Sequence, residues 1–164
     1  MFIRIPLIFI IYSMKENFAA RRSSLAEKVL DDSAIIVGSA PVKSRISDTD
    51  YAYRQDSNFY YLSGYEEPES LLLLRPGHNT EKFVIFCRDR DPLREQWDGF
   101  RSGQDGAVSN YGADAAYSIN AIDKLLPGML GGIKNIYFSM SAPCGVDLKI
   151  CLLYTSPSPR DLLK

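Results

Sequence analysis

Histidine is nearly absent from this 164-residue chain: His78 stands alone. It follows Pro76-Gly77, so it reads as a turn residue and not as a ligand or general base. The three cysteines, Cys87, Cys144 and Cys151, show no C-x-x-C spacing. An odd, scattered set excludes a disulfide framework and a Cys/His zinc site, and points to a reducing compartment, here read as the cytoplasm. Charge of either sign is not in excess, with 19 Lys plus Arg against 20 Asp plus Glu. That balance gives no basis for a nucleic-acid partner or an anionic membrane surface. There is no G-x-G-x-x-G and no Walker lysine, so nucleotide binding would rest on fold class alone. Internal repeats are also lacking.

No apolar run reaches the ~20 residues a membrane span requires. The most apolar stretch, Met1 to Ser13, carries Arg4 before its apolar run, as a signal peptide would, but no small-residue cleavage site follows. The expectation is therefore that residues 1–13 are upstream sequence read in frame and that the natural start is Met14. At the other end, Cys151 to Asp161 reads C-L-L-Y-T-S-P-S-P-R-D. That segment resembles the in-frame translation of a sequencing-library adaptor, so residues 151–164 are set aside as an artefactual tail. One domain over 14–150, incomplete at its end, is what remains.

What is present suits a globular core: hydrophobic residues make up 46% and charged residues 24%. The pattern predicts a helix over Lys15–Leu30, with Phe18, Leu25, Val29 and Leu30 on its apolar side, stopped by Asp31-Asp32-Ser33. A buried strand is expected at Ala34–Val37, broken by Ser39-Ala40-Pro41. Further strands are expected at Phe59–Leu62, Leu71–Leu74 and Phe83–Phe86, as an antiparallel meander with turns at Ser63-Gly64, Glu67-Pro68 and Pro76-Gly77. Asp91 and Pro92 look like the N-cap and first position of a helix running to Trp97. Gly99–Gly106 reads as a loop. A helix opens at Ser118-Ile119-Asn120, carries Ile122, Leu125 and Leu126, and ends at Pro127-Gly128. Ile136–Phe138 is a last strand. The class is α/β with a mixed sheet flanked by helices.

Two blocks carry more than class. Residues 48–70 read D-T-D-Y-A-Y-R-Q-D-S-N-F-Y-Y-L-S-G-Y-E-E-P-E-S, and residues 88–107 read R-D-R-D-P-L-R-E-Q-W-D-G-F-R-S-G-Q-D-G-A. The first resembles the aminopeptidase P signature D-x-x-Y-x-Y/F-R-Q-x-S-x-F-x-Y. The second resembles that family's R-x-R-D followed by E-x-W-x-G-x-R-x-G. Two long blocks in order and at the right distance are specific where a short motif is not. Phe18 to Leu25 and Ser39 to Pro41 match the family's opening helix and first strand end.

The resemblance implies the creatinase/aminopeptidase P N-terminal fold, a ribonuclease H-like arrangement of about six strands. It implies the non-catalytic domain of a bacterial-type Xaa-Pro aminopeptidase, which removes the residue before proline from proline-containing peptides. Two Mn(2+) ions would then be held by two Asp, one His and two Glu in a catalytic domain that lies beyond this chain, so this chain itself would carry no metal and no peptidase activity. Homo-oligomers are usual in the family. Trp97 matches an aromatic that reaches toward a neighbouring subunit's active site, and Asp48 matches a carboxylate in a polar network there. The plainer account of Trp97 is that it packs its helix onto the sheet. Arg101 is a further substrate-pocket candidate, able to pair a carboxylate, although a surface loop arginine is the plainer account. The alternative to an enzyme part is a free-standing peptide- or protein-binding module of the same fold.

Overall fold

The computed structural model describes residues 7–47 and 49–138, with side chains from residue 17 onward other than that of Asp98. Met1 to Pro6, Asp48, Cys144, Cys151 and the suspect tail lie outside the described residues. Five strands form one mixed sheet: β1 (Ser33–Gly38), β4 (Leu71–Leu74), β5 (Phe83–Cys87), β6 (Ala115–Ser118) and β7 (Asn135–Phe138). Their order is β6-β5-β4-β1-β7. β4 runs antiparallel to both β1 and β5, whereas β7 is parallel to β1 and β6 is parallel to β5. A two-stranded hairpin, β2 (Ser44–Ile46) with β3 (Thr49–Asp50), stands apart from that sheet.

Side-chain alternation divides the core into two layers. Ile35, Leu72, Leu74, Phe83, Ile85 and Cys87 face one side, where they meet Phe59, Leu62, Tyr65, Ala107 and Ala113. Ala34, Ile36, Leu71, Leu73, Val84 and Phe86 face the other, against Ile122, Leu126 and Leu130. The helices α1 (Leu7–Ala26), α2 (Ser57–Ser63) and α4 (Gly103–Tyr111) thus cover one face and α5 (Ile122–Met129) the other. Helices on both faces explain why β4 and β5 are uninterrupted apolar runs. Arg22 fastens α1 by donating to Leu62 O at 2.8 Å, with its guanidinium 3.8 Å over the Phe83 ring. Burial there pushes its pKa down to about 10. Among the described residues no helix is long and apolar enough to cross a membrane.

Several expectations need correction. Phe59–Leu62 is not a strand but lies within helix α2. Asp56 Oδ1 accepts from the backbone N–H of Asn58 and Phe59, and Gly64 closes the helix in the left-handed region at φ 68°. Phe59, Leu62 and Ser63 are buried at i, i+3 and i+4, so the cap and burial override the strand preference of Tyr60-Tyr61. The antiparallel trio is therefore β1, β4 and β5. The first helix stops at Ala26 and leaves Leu30 61% exposed. Gly103–Gly106 belongs to α4, not to a loop. Pro127 sits inside α5, because Leu126 and Leu130 are buried on either side of it and hold the turn in place. β6 and the β2–β3 hairpin were not anticipated.

Candidate functional site

Because β5 and β6 are parallel, the segments that follow them emerge side by side at one end of the sheet. Asp89 ties these segments together. Its Oδ1 accepts from Gln104 Nε2 at 2.8 Å, and its Oδ2 accepts from Ser118 Oγ at 2.6 Å and Asn120 Nδ2 at 3.3 Å. Those donors, Ser118 first, hold its carboxyl below the usual range. Sequence reasoning missed Asp89; its place in the R-D-R-D block was the available signal.

The same end of the sheet carries a cleft of about 530 Å³ whose walls include Glu69, Arg88, Asp89, Arg94 and Arg101. Arg101 is only 8% exposed, with Nη1 3.5 Å from Asp89 O, so the surface-loop reading is wrong. Glu67 is also more than a turn residue. Its Oε1 accepts from Ser102 N at 2.7 Å and its Oε2 lies 3.7 Å from Arg88 Nη2, which joins the β4 entry to the start of α4. Cys87 at the end of β5 is fully buried, and burial pushes its thiol up to about 11. At neutral pH it is a packed, protonated thiol and no nucleophile.

Helix α3 (Pro92–Asp98) projects from this end. Asp91 caps it through Oδ1, which accepts from Leu93 N at 3.1 Å and Arg94 N at 3.2 Å, with Pro92 at the first turn as expected. Trp97 is 88% exposed, Leu93 76% and Phe100 68%. Trp97 therefore does not pack α3 onto the sheet. It is presented outward, and it does not line the cleft that Arg101 lines. The structure thus separates two of the three candidates, and the third, Asp48, lies outside the described residues.

Among the described residues, no three His, Cys, Asp or Glu side chains gather as a metal site. What this arrangement offers is an apolar projection beside a polar, arginine-walled cleft. An indole on such a projection supplies a large rigid contact with one N–H donor.

Comparison with known proteins gives the same result by sequence and by fold. The family described as aminopeptidase P, N-terminal domain, matches residues 18–137. The Xaa-Pro aminopeptidase of Haemophilus influenzae is 39% identical over 123 residues, covering 75% of this chain and 29% of that protein. The human Xaa-Pro aminopeptidase 3 is 38% identical over 121 residues, covering 71% and 24% respectively. The solved Pseudomonas aeruginosa aminopeptidase PepP superposes with a TM-score of 0.82 at 41% identity, over 93% of this chain and 33% of that one. This chain therefore spans a third or less of the length of these relatives. With fold, motif blocks and relatives in agreement, the chain belongs to the aminopeptidase P N-terminal domain family.

Proposed function

We propose that this domain serves a metallo-aminopeptidase that removes the N-terminal residue from peptides with proline in second position. Its role is to shape the substrate pocket and the oligomer, and it does not itself cleave the bond. The observation that carries this reading is Trp97, 88% exposed on a capped helix in a family whose relatives are named Xaa-Pro aminopeptidases. An indole left in water on a projecting helix is suited to contact with another surface. The bond before proline is a tertiary amide; in this reading its cleavage would draw on a pair of Mn(2+) ions, held by residues other than those described here, which would supply a nucleophile at neutral pH. This chain has a single histidine, His78, whose Nδ1 already accepts from Glu81 N at 2.9 Å.

A chimera tests the proposal. Residues 18–137 replace the matching stretch of the Escherichia coli Xaa-Pro aminopeptidase, which is 37% identical over 135 residues. The expected result is Mn(2+)-dependent hydrolysis of an Xaa-Pro-Xaa peptide by the chimera. The E. coli catalytic region alone should cleave it far more slowly, and the 164-residue chain alone should not cleave it. An assembled but inactive chimera, or hydrolysis by the chain alone, overturns the proposal.

A further inference from the structure

A seven-residue helix does not hold itself together in water, so α3 needs an anchor on the domain. Its exposed residues do not supply one. Leu93 and Trp97, spaced i and i+4, share the outward face. Glu95 lies on the opposite face, and its side chain is only 13% exposed. The Asp91 cap fixes where the helix starts but is local to it.

Glu95 is held by Arg90 in a two-pronged pair: Arg90 Nε donates to Oε1 at 2.9 Å and Nη2 to Oε2 at 2.9 Å. The same guanidinium lies 4.9 Å over the ring of Phe100, beyond the end of α3. The aliphatic stem of Arg90 lies over Gly103 at the start of α4, so close that a Cβ there would sit 2.5 Å from its Cγ. Gly103 also has φ +61°, which disfavours any other residue. One side chain thus touches the inner face of α3, the segment after it and the first turn of α4.

We propose that Arg90 is a positioning residue, fixing the orientation of α3, and hence of Trp97, through Glu95 and Phe100. The inference rests on the reading above that Trp97 acts at a pocket, but the clamp can be tested without it. Lysine cannot replace Arg90, because the anchor uses a planar fork that pairs with a carboxylate at its edge and stacks through its face.

Trp97 is the sole tryptophan, so indole fluorescence reports α3 alone. Time-resolved anisotropy of the 164-residue chain should show the indole turning mainly with the whole domain. In Arg90→Lys and in Glu95→Gln, at least half of that slow component should pass to fast local motion. Far-UV circular dichroism should change by no more than the loss of the seven-residue helix α3 explains, and the double variant should be no worse than either single one. Slow anisotropy that survives in both single variants overturns the proposal, as does an indole already free in the parent chain. In the chimera, Arg90→Lys should lower kcat/KM for an Xaa-Pro-Xaa peptide as far as Trp97→Ala does. If anisotropy collapses while the chimera keeps its rate, the clamp stands and the pocket role of Trp97 falls.

Discussion

Gln55 offers a sharp quantitative test, because one side chain closes four backbone hydrogen bonds across separate segments. Its Oε1 accepts from Ala40 N at 2.8 Å and Asp56 N at 2.9 Å, and its Nε2 donates to Tyr65 O at 3.2 Å and Glu67 O at 2.9 Å. Two N–H groups face the amide oxygen and two carbonyls face the amide nitrogen, so a single orientation satisfies all four. Gln55→Ala leaves these groups to whatever water can reach them. At about 1 kcal/mol net per bond, discounted for partial exposure, the loss is roughly 2–4 kcal/mol. That is a large share of the ~5–15 kcal/mol typical of a folded domain. Urea unfolding followed by circular dichroism should show a lower midpoint at unchanged slope. Gln55→Glu keeps the acceptors but turns a carboxylate toward two carbonyls, so at pH 7 it should destabilise at least as much. It should recover in part as the pH falls and the acid regains one donor. A loss below about 0.5 kcal/mol in Gln55→Ala would refute the reasoning, since it would mean that water replaces all four bonds without cost.

Other outcomes follow from the same geometry. Gly64 has φ +68° and a Cβ there would sit 2.5 Å from the Phe18 ring, so Gly64→Ala should cost on the order of 1–3 kcal/mol and lower Tm in a thermal scan. Glu81 accepts from Tyr117 Oη at 2.9 Å and from Arg75 Nη2 at 2.7 Å, with His78 nearby. The Tyr117 hydroxyl first, then Arg75, hold its carboxyl below the usual range. A lowered folded-state pKa contributes stability that is complete above the unfolded glutamate pKa of ~4.3 and is lost as pH falls through the lowered value. Glu81→Gln should therefore flatten the acid limb of the stability profile below about pH 4, measured by urea midpoints at several pH values. An acid limb as steep as the parent's would count against the assignment.

The strands that run apolar on both faces, β1, β4 and β5, were readable because burial on two sides leaves no polar position to confuse the pattern. Helix α3 was readable from Asp91-Pro92, a cap and first-turn signal that acts locally. Phe59–Leu62 misled because two adjacent tyrosines resemble a strand, while the signals for a helix lay in Asp56, Gly64 and the burial of Phe59 against the sheet. β6 was hidden for the opposite reason: A-A-Y-S is short and only half-buried, and it is a strand because β5 pairs with it. At the candidate site, Trp97 stood out in the sequence as the sole tryptophan, but the burial of Arg101 and the bonds of Asp89 arise from tertiary contacts that no spacing reveals.

The most direct test of the account is kcat/KM for an Xaa-Pro-Xaa peptide in the chimera carrying Trp97→Ala, with mass in solution measured on the same sample. An aromatic anchor worth about 2 kcal/mol corresponds to a fall of roughly thirtyfold, with the assembly unchanged. A rate within about twofold of the parent chimera, at the same mass, would contradict a role for this helix at the pocket.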